Sequence, residues 1–402
     1  MKKHDEKLNR KKINFINFIS ILIGFSQAVL IYVISSYFKA AIGTENVGIF
    51  YFGTSIVALV LLLNLHKIVK SIGKSNSLFL ILGVKLIALF FLVMLKPGIS
   101  SIVFLLVYMM FVPLDTVAID IILESYSVDK LSGRIRGLEI IALESGYVLG
   151  PFLSTNILNK YGFHYVFFAA LIIVVFVFSL ALLKLGQVNH KFNKKLSTKA
   201  LLKKVLKRPN IMRIYSVSIV LELFFAIMVI FSPIYLRDIG FSWSQIGIIF
   251  TFMLVPFLIM PYPIGYLADK KLGEKELLIA ALFVMGIATL SVFFTTVPSL
   301  KLWILILVFT RIGASSLQTL RDSYFYKRID GHDVDLNNFF RTANPIAYLF
   351  GSALSFFILL FYPVRVLFFA LALIIFLSLY PAFRLIDNKC EDELIAEGKL
   401  IE

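Results

Sequence analysis

Six ionisable residues lie inside stretches of the chain that are otherwise apolar. They are Lys85, Asp115, Asp120, Glu144, Glu222 and Arg311. A charged side chain is costly to hold at the depth of a bilayer, so such a residue calls for a functional or structural reason. Two cations face four acids, and even complete pairing leaves two carboxylates without a cation. A dry carboxylate without a cation takes up a proton readily, which is what proton coupling requires. Acids that face water-filled vestibules would instead stay ionised.

The stretches that hold these residues are long enough to cross a membrane. Hydrophobic residues make up 59% of the 402 residues and charged residues 16%. A transmembrane helix needs about 20 apolar residues, and lipid offers backbone groups no partner outside the helix. The sequence therefore predicts an all-α membrane protein. Twelve spans are predicted, at 14–38, 47–65, 77–96, 100–123, 135–158, 164–186, 212–235, 244–267, 277–297, 300–323, 338–361 and 364–385.

The two halves of the chain are similar in pattern. Residues 107–129 align with residues 308–330 without a gap, at an offset of 201 positions, half of 402. Matching hydropathy and length indicate two pseudo-symmetric six-helix bundles, with the site between them. We predict a tail at 1–12, a bundle at 13–186, a basic linker at 187–211, a second bundle at 212–386 and a tail at 387–402.

The basic residues are concentrated on alternate loops. The net charge is +16, and Lys and Arg are densest in the N-terminal tail and in the linker. This distribution follows the positive-inside rule and is not a basic face for nucleic acid. It predicts an integral protein of the cell (inner) membrane, embedded in the lipid bilayer, with both termini in the cytoplasm. Part of the linker has helical apolar spacing with a basic opposite face, which predicts a helix along the membrane surface or a solvated basic tether.

The sequence contains no pattern that predicts an enzyme. The five histidines are scattered, and the single cysteine, Cys390, lies in the C-terminal tail. No nucleotide-binding loop, nucleophile elbow or metal-ligand spacing is present. We expect no metal, no cofactor and no catalytic residue.

A loop motif between spans 8 and 9 carries a family resemblance. The segment GYLADKKLGEK contains Gly265, Asp269, Lys270 and Gly273. Together with twelve spans in two halves, it resembles the major facilitator superfamily. The equivalent loop of the first half, LHKIVKSIGKS, lacks the aspartate.

The resemblance implies a conformational latch on the inner side. Asp269 would cap the N-terminus of span 5, near Arg134 and Arg136, and favour the outward-facing state. A plain tight turn with solvated charges is the alternative reading.

Span 5 contains a second, partial motif. Gly137, Gly146, Gly150 and Pro151 have the spacing found in proton-coupled drug antiporters of the superfamily. Small residues permit close helix packing, and proline bends a helix. The motif favours efflux slightly, and ordinary helix packing explains it equally well.

The resemblance also places spans 1, 4, 7 and 10 around a central cavity. Asp115, Glu144 and Glu222 are then the candidates for proton coupling. Five residues are candidates for the substrate cavity: Gln27, Arg311, Gln318, Asn344 and Tyr348. Lys85 is expected to pair with Asp115 or Asp120 on the next span, and Lys85–Asp120 is the structural ion pair that we assign.

These patterns predict a secondary active transporter that works by alternating access. Its expected partners are a small-molecule substrate and protons, and it is expected to act as a monomer. The alternatives are an uncoupled facilitator, and a transporter-like lipid flippase or sensor.

Overall fold

The computed structural model describes residues 10–126, 132–148, 150–185, 205, 207–328 and 334–387, and every regular element there is a helix. The linker predicted at 187–211 lies largely outside these ranges, as do the tails except Asp387 and Arg10 to Lys12. The first half contains α1 Arg10–Ile31, α2 Ile34–Ile42, α3 Gly48–Ile72, α4 Lys74–Met94, α5 Ile99–Glu124, α6 Ser132–Tyr147, α7 Gly150–Tyr161 and α8 Phe163–Lys184.

In the described part of the second half there are ten further α-helices and one π-helical turn. They are α9 Pro209–Asp238, α10 Trp243–Leu254, α11 Pro256–Ile259, α12 Pro261–Leu267, the π-helix Ala268–Leu272, α13 Gly273–Phe294, α14 Leu300–Lys327, α15 Val334–Arg341, α16 Ala343–Leu359, α17 Arg365–Leu377 and α18 Leu379–Phe383.

Ten helical segments in the described ranges are long and apolar enough to cross a membrane. One of them, Trp243–Phe294, has 52 residues and covers predicted spans 8 and 9. At about 1.5 Å per residue it is more than twice the thickness of a hydrocarbon core of about 30 Å. Predicted span 5 corresponds to α6 and α7 together. The all-helical fold is confirmed, and the count of twelve stays a prediction.

Helix breaks coincide with prolines in both halves. Pro256 begins α11 and Pro261 begins α12, while Pro151 is the second residue of α7. Proline lacks an N–H and disfavours helical geometry at the residue before it, so helices end just ahead of it. The bend predicted at Pro151 stays a prediction, because Leu149, between α6 and α7, lies outside the described residues.

The chain divides into two compact units. The first contains residues 1–193 with 242–247, and the second contains 194–241 with 248–402. In the first unit, α1 packs against α6, α7 and α8, and α4 packs against α5 and α8. In the second unit, α9 packs against α16 and α14, and α13 packs against α14 and α17. Helices α1 and α9 are therefore the helices on which buried polar groups can meet several neighbours.

Candidate functional site

Four polar side chains inside the first unit are connected to one another by hydrogen bonds and an ion pair, and we name them the Asp115 cluster. Lys85 of α4 and Asp115 of α5 form an ion pair, and their side chains are 1% and 0% exposed. Gln27 of α1 donates from Nε2 to Asp115 Oδ1 at 3.0 Å. Tyr147, the last residue of α6, donates its hydroxyl to Gln27 Oε1 at 2.5 Å. Four helices therefore contribute to one buried carboxylate.

Both oxygens of Asp115 are occupied. Oδ2 meets the Lys85 ammonium, and Oδ1 accepts from Gln27. The Lys85 Nζ also lies 5.3 Å from the centre of the Tyr108 ring, two helical turns before Asp115. A buried ion pair is tolerated only when its remaining hydrogen-bonding positions are satisfied. The lysine and the amide therefore offset part of the cost of burying this carboxylate.

The assigned pair Lys85–Asp120 is corrected to Lys85–Asp115. Five residues along an α-helix turn the side chain by about 140° around the helix axis. The two aspartates therefore cannot both face α4, and the rotation of α5 selects Asp115. Asp120 is buried as well.

A second cluster, the Glu222 cluster, lies inside the second unit. Arg321 of α14 donates from Nη1 to Glu222 Oε1 at 2.8 Å, and Asn344 of α16 donates to Glu222 Oε2 at 2.8 Å. Arg321 also reaches Ser218 Oγ at 2.9 Å and Asp322 Oδ1 at 3.0 Å. As in the first unit, one carboxylate joins several helices.

Arg321 changes the charge count made from the sequence. That count omitted Arg321 because it stands near the predicted end of span 10, whereas α14 continues to Lys327. The long guanidinium side chain reaches Glu222 on the neighbouring helix. Asp115 and Glu222 each have a cation in this structure, so neither of them is one of the carboxylates that the count left without a cation.

The remaining predicted cavity residues lie in different surroundings. Arg311 is buried, with its guanidinium 5.0 Å from the Phe224 ring centre and 5.8 Å from that of Phe225. Gln318 and Tyr348 are half-buried. Glu144 is exposed on α6, so its surroundings differ from those of Asp115 and Glu222.

Two buried acids, Glu139 and Glu274, were missed by the sequence analysis. Glu139 of α6 is buried and accepts a hydrogen bond of 2.8 Å from Ser20 Oγ of α1. It lies in SGRIRGLEIIALE, which is less apolar than the other spans and gave no signal of burial.

The glycines of the span-5 motif lie where α6 and α7 approach α1. A Cβ added to Gly146 would lie 2.6 Å from the Phe25 nitrogen, and one added to Gly150 would lie 2.6 Å from the Ala28 carbonyl carbon. Backbone atoms cannot move aside as a side chain can, so both positions require glycine. The surroundings of Gly137 are outside the described residues.

The loop motif forms a charge network within the second unit. Asp269 Oδ1 pairs with Lys327 Nζ at 2.7 Å, and the same Nζ lies 2.6 Å from Glu274 Oε1. Gly273 has φ 71°, a conformation that glycine adopts without strain. Lys270 lies against the Tyr266 ring, with Nζ 5.4 Å from its centre. Gly265 lies on α12, ahead of this network.

A carboxylate does cap a helix here, but it is one that the sequence analysis did not name. Asp387 Oδ1 accepts from the backbone N–H groups of Glu274 at 3.1 Å and Lys275 at 3.0 Å, at the start of α13. The predicted latch between Asp269 and span 5 stays a prediction. The side chains of Arg134 and Arg136 are outside the described residues.

Fold and site together define a multi-pass helical membrane protein with ionisable side chains buried inside its bundles. Proteins of this class that carry ionisable groups at depth are most often carriers or channels. The chain belongs to the Major Facilitator Superfamily, whose family model matches residues 16–329 and residues 223–399. The predicted membership is thereby confirmed.

Solved transporters share this fold. The POT family transporter PepTSo is 10% identical, with a TM-score of 0.71 over 97% of this chain and 98% of that chain. A single-residue mutant of the nucleoside transporter NupG is 13% identical, with a TM-score of 0.72 over 93% of this chain and 98% of that chain. A search of curated proteins gives no match. Family and fold support a membrane transporter rather than an enzyme.

Proposed function

We propose that this protein is a secondary active transporter that moves a small molecule by alternating access and couples it to protons at Asp115. The observation that supports this most is the fully occupied Asp115 carboxylate, which a lysine and an amide hold inside the first unit. A buried charge of this kind is costly and is kept where it has a task.

The Lys85–Asp115 contact gives a physical route to coupling. While Lys85 and Gln27 hold the carboxylate, they offset part of the cost of its buried charge. When a conformational change withdraws either donor, the dry carboxylate takes up a proton. Proton binding is then tied to the conformation of the bundle.

In this proposal a single chain is the transport unit, and both termini face the cytoplasm of the cell membrane, as the basic loops indicate. The span-5 motif favours export over import. Glu222 is a less favoured proton site, since Arg321 and Asn344 hold it and its side chain is 13% exposed, against 0% for Asp115.

The proposal is tested in proteoliposomes loaded with a pH-sensitive dye. A panel of sugars, nucleosides, organic anions and amphipathic drugs is added under a pH gradient. We expect at least one compound to cause proton movement with the wild-type protein. Asp115→Asn should abolish that movement while leaving counterflow of the same compound measurable, because exchange requires no net proton transfer.

The matched control is Asp120→Asn, which removes a buried carboxylate from the same helix. It should retain compound-dependent proton movement. If Asp115→Asn keeps an unchanged pH profile, the proton site lies elsewhere. Compound transport without proton movement in the wild type would identify an uncoupled facilitator, and movement of labelled lipid alone would identify a flippase.

The latch proposal makes a separate prediction for Asp269→Asn. The Asp269 side chain is 54% exposed and its partner Lys327 is 38% exposed, so the pair contributes less than about 1 kcal/mol to stability. Thermal unfolding should hardly change, whereas transport should fall sharply if the carboxylate caps a facing helix. Lys327→Met serves as the comparison, since it removes the ion pairs of both Asp269 and Glu274 and keeps the Asp269 carboxylate. Equal transport losses in the two variants would assign the effect to the local pair and reject the latch.

A further inference from the structure

The hydrogen bonds of the Asp115 cluster run in one direction, from Tyr147 through Gln27 to Asp115. Gln27 presents its NH2 group to the carboxylate at 3.0 Å. The reverse orientation would point the amide oxygen at a carboxylate oxygen, which is repulsive. The amide oxygen therefore faces Tyr147, and the tyrosine hydroxyl must be the donor in the 2.5 Å contact.

The hydrogen bond from Tyr147 to Gln27 strengthens the hydrogen bond from Gln27 to Asp115. A hydrogen bond accepted by an amide oxygen polarises the amide and makes its NH2 group a better donor. The Tyr147 hydroxyl therefore stabilises the ionised form of Asp115 without touching it. Among the described residues, the titratable groups close to Asp115 are Lys85 on α4 and Tyr108 on α5, and α1 presents the uncharged Gln27.

The three hydrogen-bonded residues differ in how exposed they are. Asp115 and Gln27 are buried, whereas Tyr147 is half-buried. Tyr147 is the last residue of α6, directly before the interval that separates α6 from α7. The close approach of Gly146 and Gly150 to α1 fixes the register that brings Tyr147 to Gln27. Tyr147 is therefore the most exposed of the three hydrogen-bonded residues.

We propose that Tyr147 is a positioning residue that sets the proton affinity of Asp115 through Gln27. Loss of the Tyr147 hydrogen bond leaves Gln27 a weaker donor. Asp115 then binds a proton more readily. This inference rests on the proposed proton site at Asp115.

The test is a pH titration of purified protein in lipid vesicles, followed by infrared difference spectroscopy of the protonated carboxyl group. The band that disappears in Asp115→Asn reports Asp115. In Tyr147→Phe we expect that band to form at about tenfold lower proton concentration than in the wild type. Tyr161→Phe is the matched control: it removes an exposed tyrosine hydroxyl from the end of α7 and should leave the titration unchanged.

The outcomes separate the two proposals. If no carboxyl band disappears in Asp115→Asn, the proton site itself is wrong. If the band is assigned to Asp115 but Tyr147→Phe and Gln27→Leu both titrate like the wild type, the proposal for Tyr147 is overturned and the proton site stands. If Gln27→Leu shifts the band and Tyr147→Phe does not, Gln27 acts alone and the proposal also fails. Thermal unfolding of each variant establishes that the compared proteins are folded.

Discussion

Replacing Lys85 by methionine is expected to destabilise the first unit by about 3–5 kcal/mol, because Asp115 must then either stay buried as a charge without its cation or take up a proton. The Asp115 side chain is 0% exposed, so neither water nor counter-ions can compensate. Gln27 alone cannot replace the ammonium, since an amide carries no net charge. Thermal unfolding of the purified variant in detergent measures the loss.

Two comparison variants separate charge from packing. Lys39→Met breaks a 3.0 Å ion pair with Glu45 whose side chains are 32% and 40% exposed, and it should cost less than about 1 kcal/mol. The double variant Lys85→Met with Asp115→Asn should recover most of the stability, because no unpaired charge then remains. A Lys85→Met protein as stable as Lys39→Met, or a double variant no better than the single one, would contradict this account.

The second large effect is expected at Gly146. An added Cβ would lie 2.6 Å from the Phe25 nitrogen and 3.0 Å from the Gly24 carbonyl carbon, so α6 and α1 would have to separate. Overpacking of this kind costs about 1–3 kcal/mol even where side chains can adjust. Because backbone lies on the other side, Gly146→Ala should be at the upper end of that range, and Gly146→Leu should prevent correct folding.

The matched controls are two other helical glycines of the first unit. A Cβ at Gly53 of α3 or Gly83 of α4 meets nothing within 4 Å. Alanine at either position should be neutral or raise stability by about 0.5–1 kcal/mol, since alanine favours helix. Size-exclusion profiles and unfolding temperatures of the four variants provide the comparison. If Gly146→Ala matches Gly83→Ala, the glycine does not serve helix contact.

The class of fold could be predicted because its signals are local. Apolar runs of membrane-spanning length mark helices wherever they occur, since lipid leaves the backbone no other partner. The glycines of span 5 likewise indicated close packing, and Gly146 and Gly150 do approach the backbone of α1. Helix ends were predicted less well: α14 reaches Lys327, four residues beyond the predicted end, because a helix continues past its apolar part into the polar boundary.

Pairings between helices were decided by the tertiary structure alone. The sequence shows that Lys85 has two aspartates within reach, but the rotation of α5 about its axis selects Asp115. Arg321 reaches Glu222 because its side chain is long and α14 lies beside α9. Asp387, from the far end of the chain, caps α13. Each of these contacts depends on helix register and rotation. Both follow from the packing of all the side chains in a unit, so they cannot be predicted from the residue spacing of any one segment.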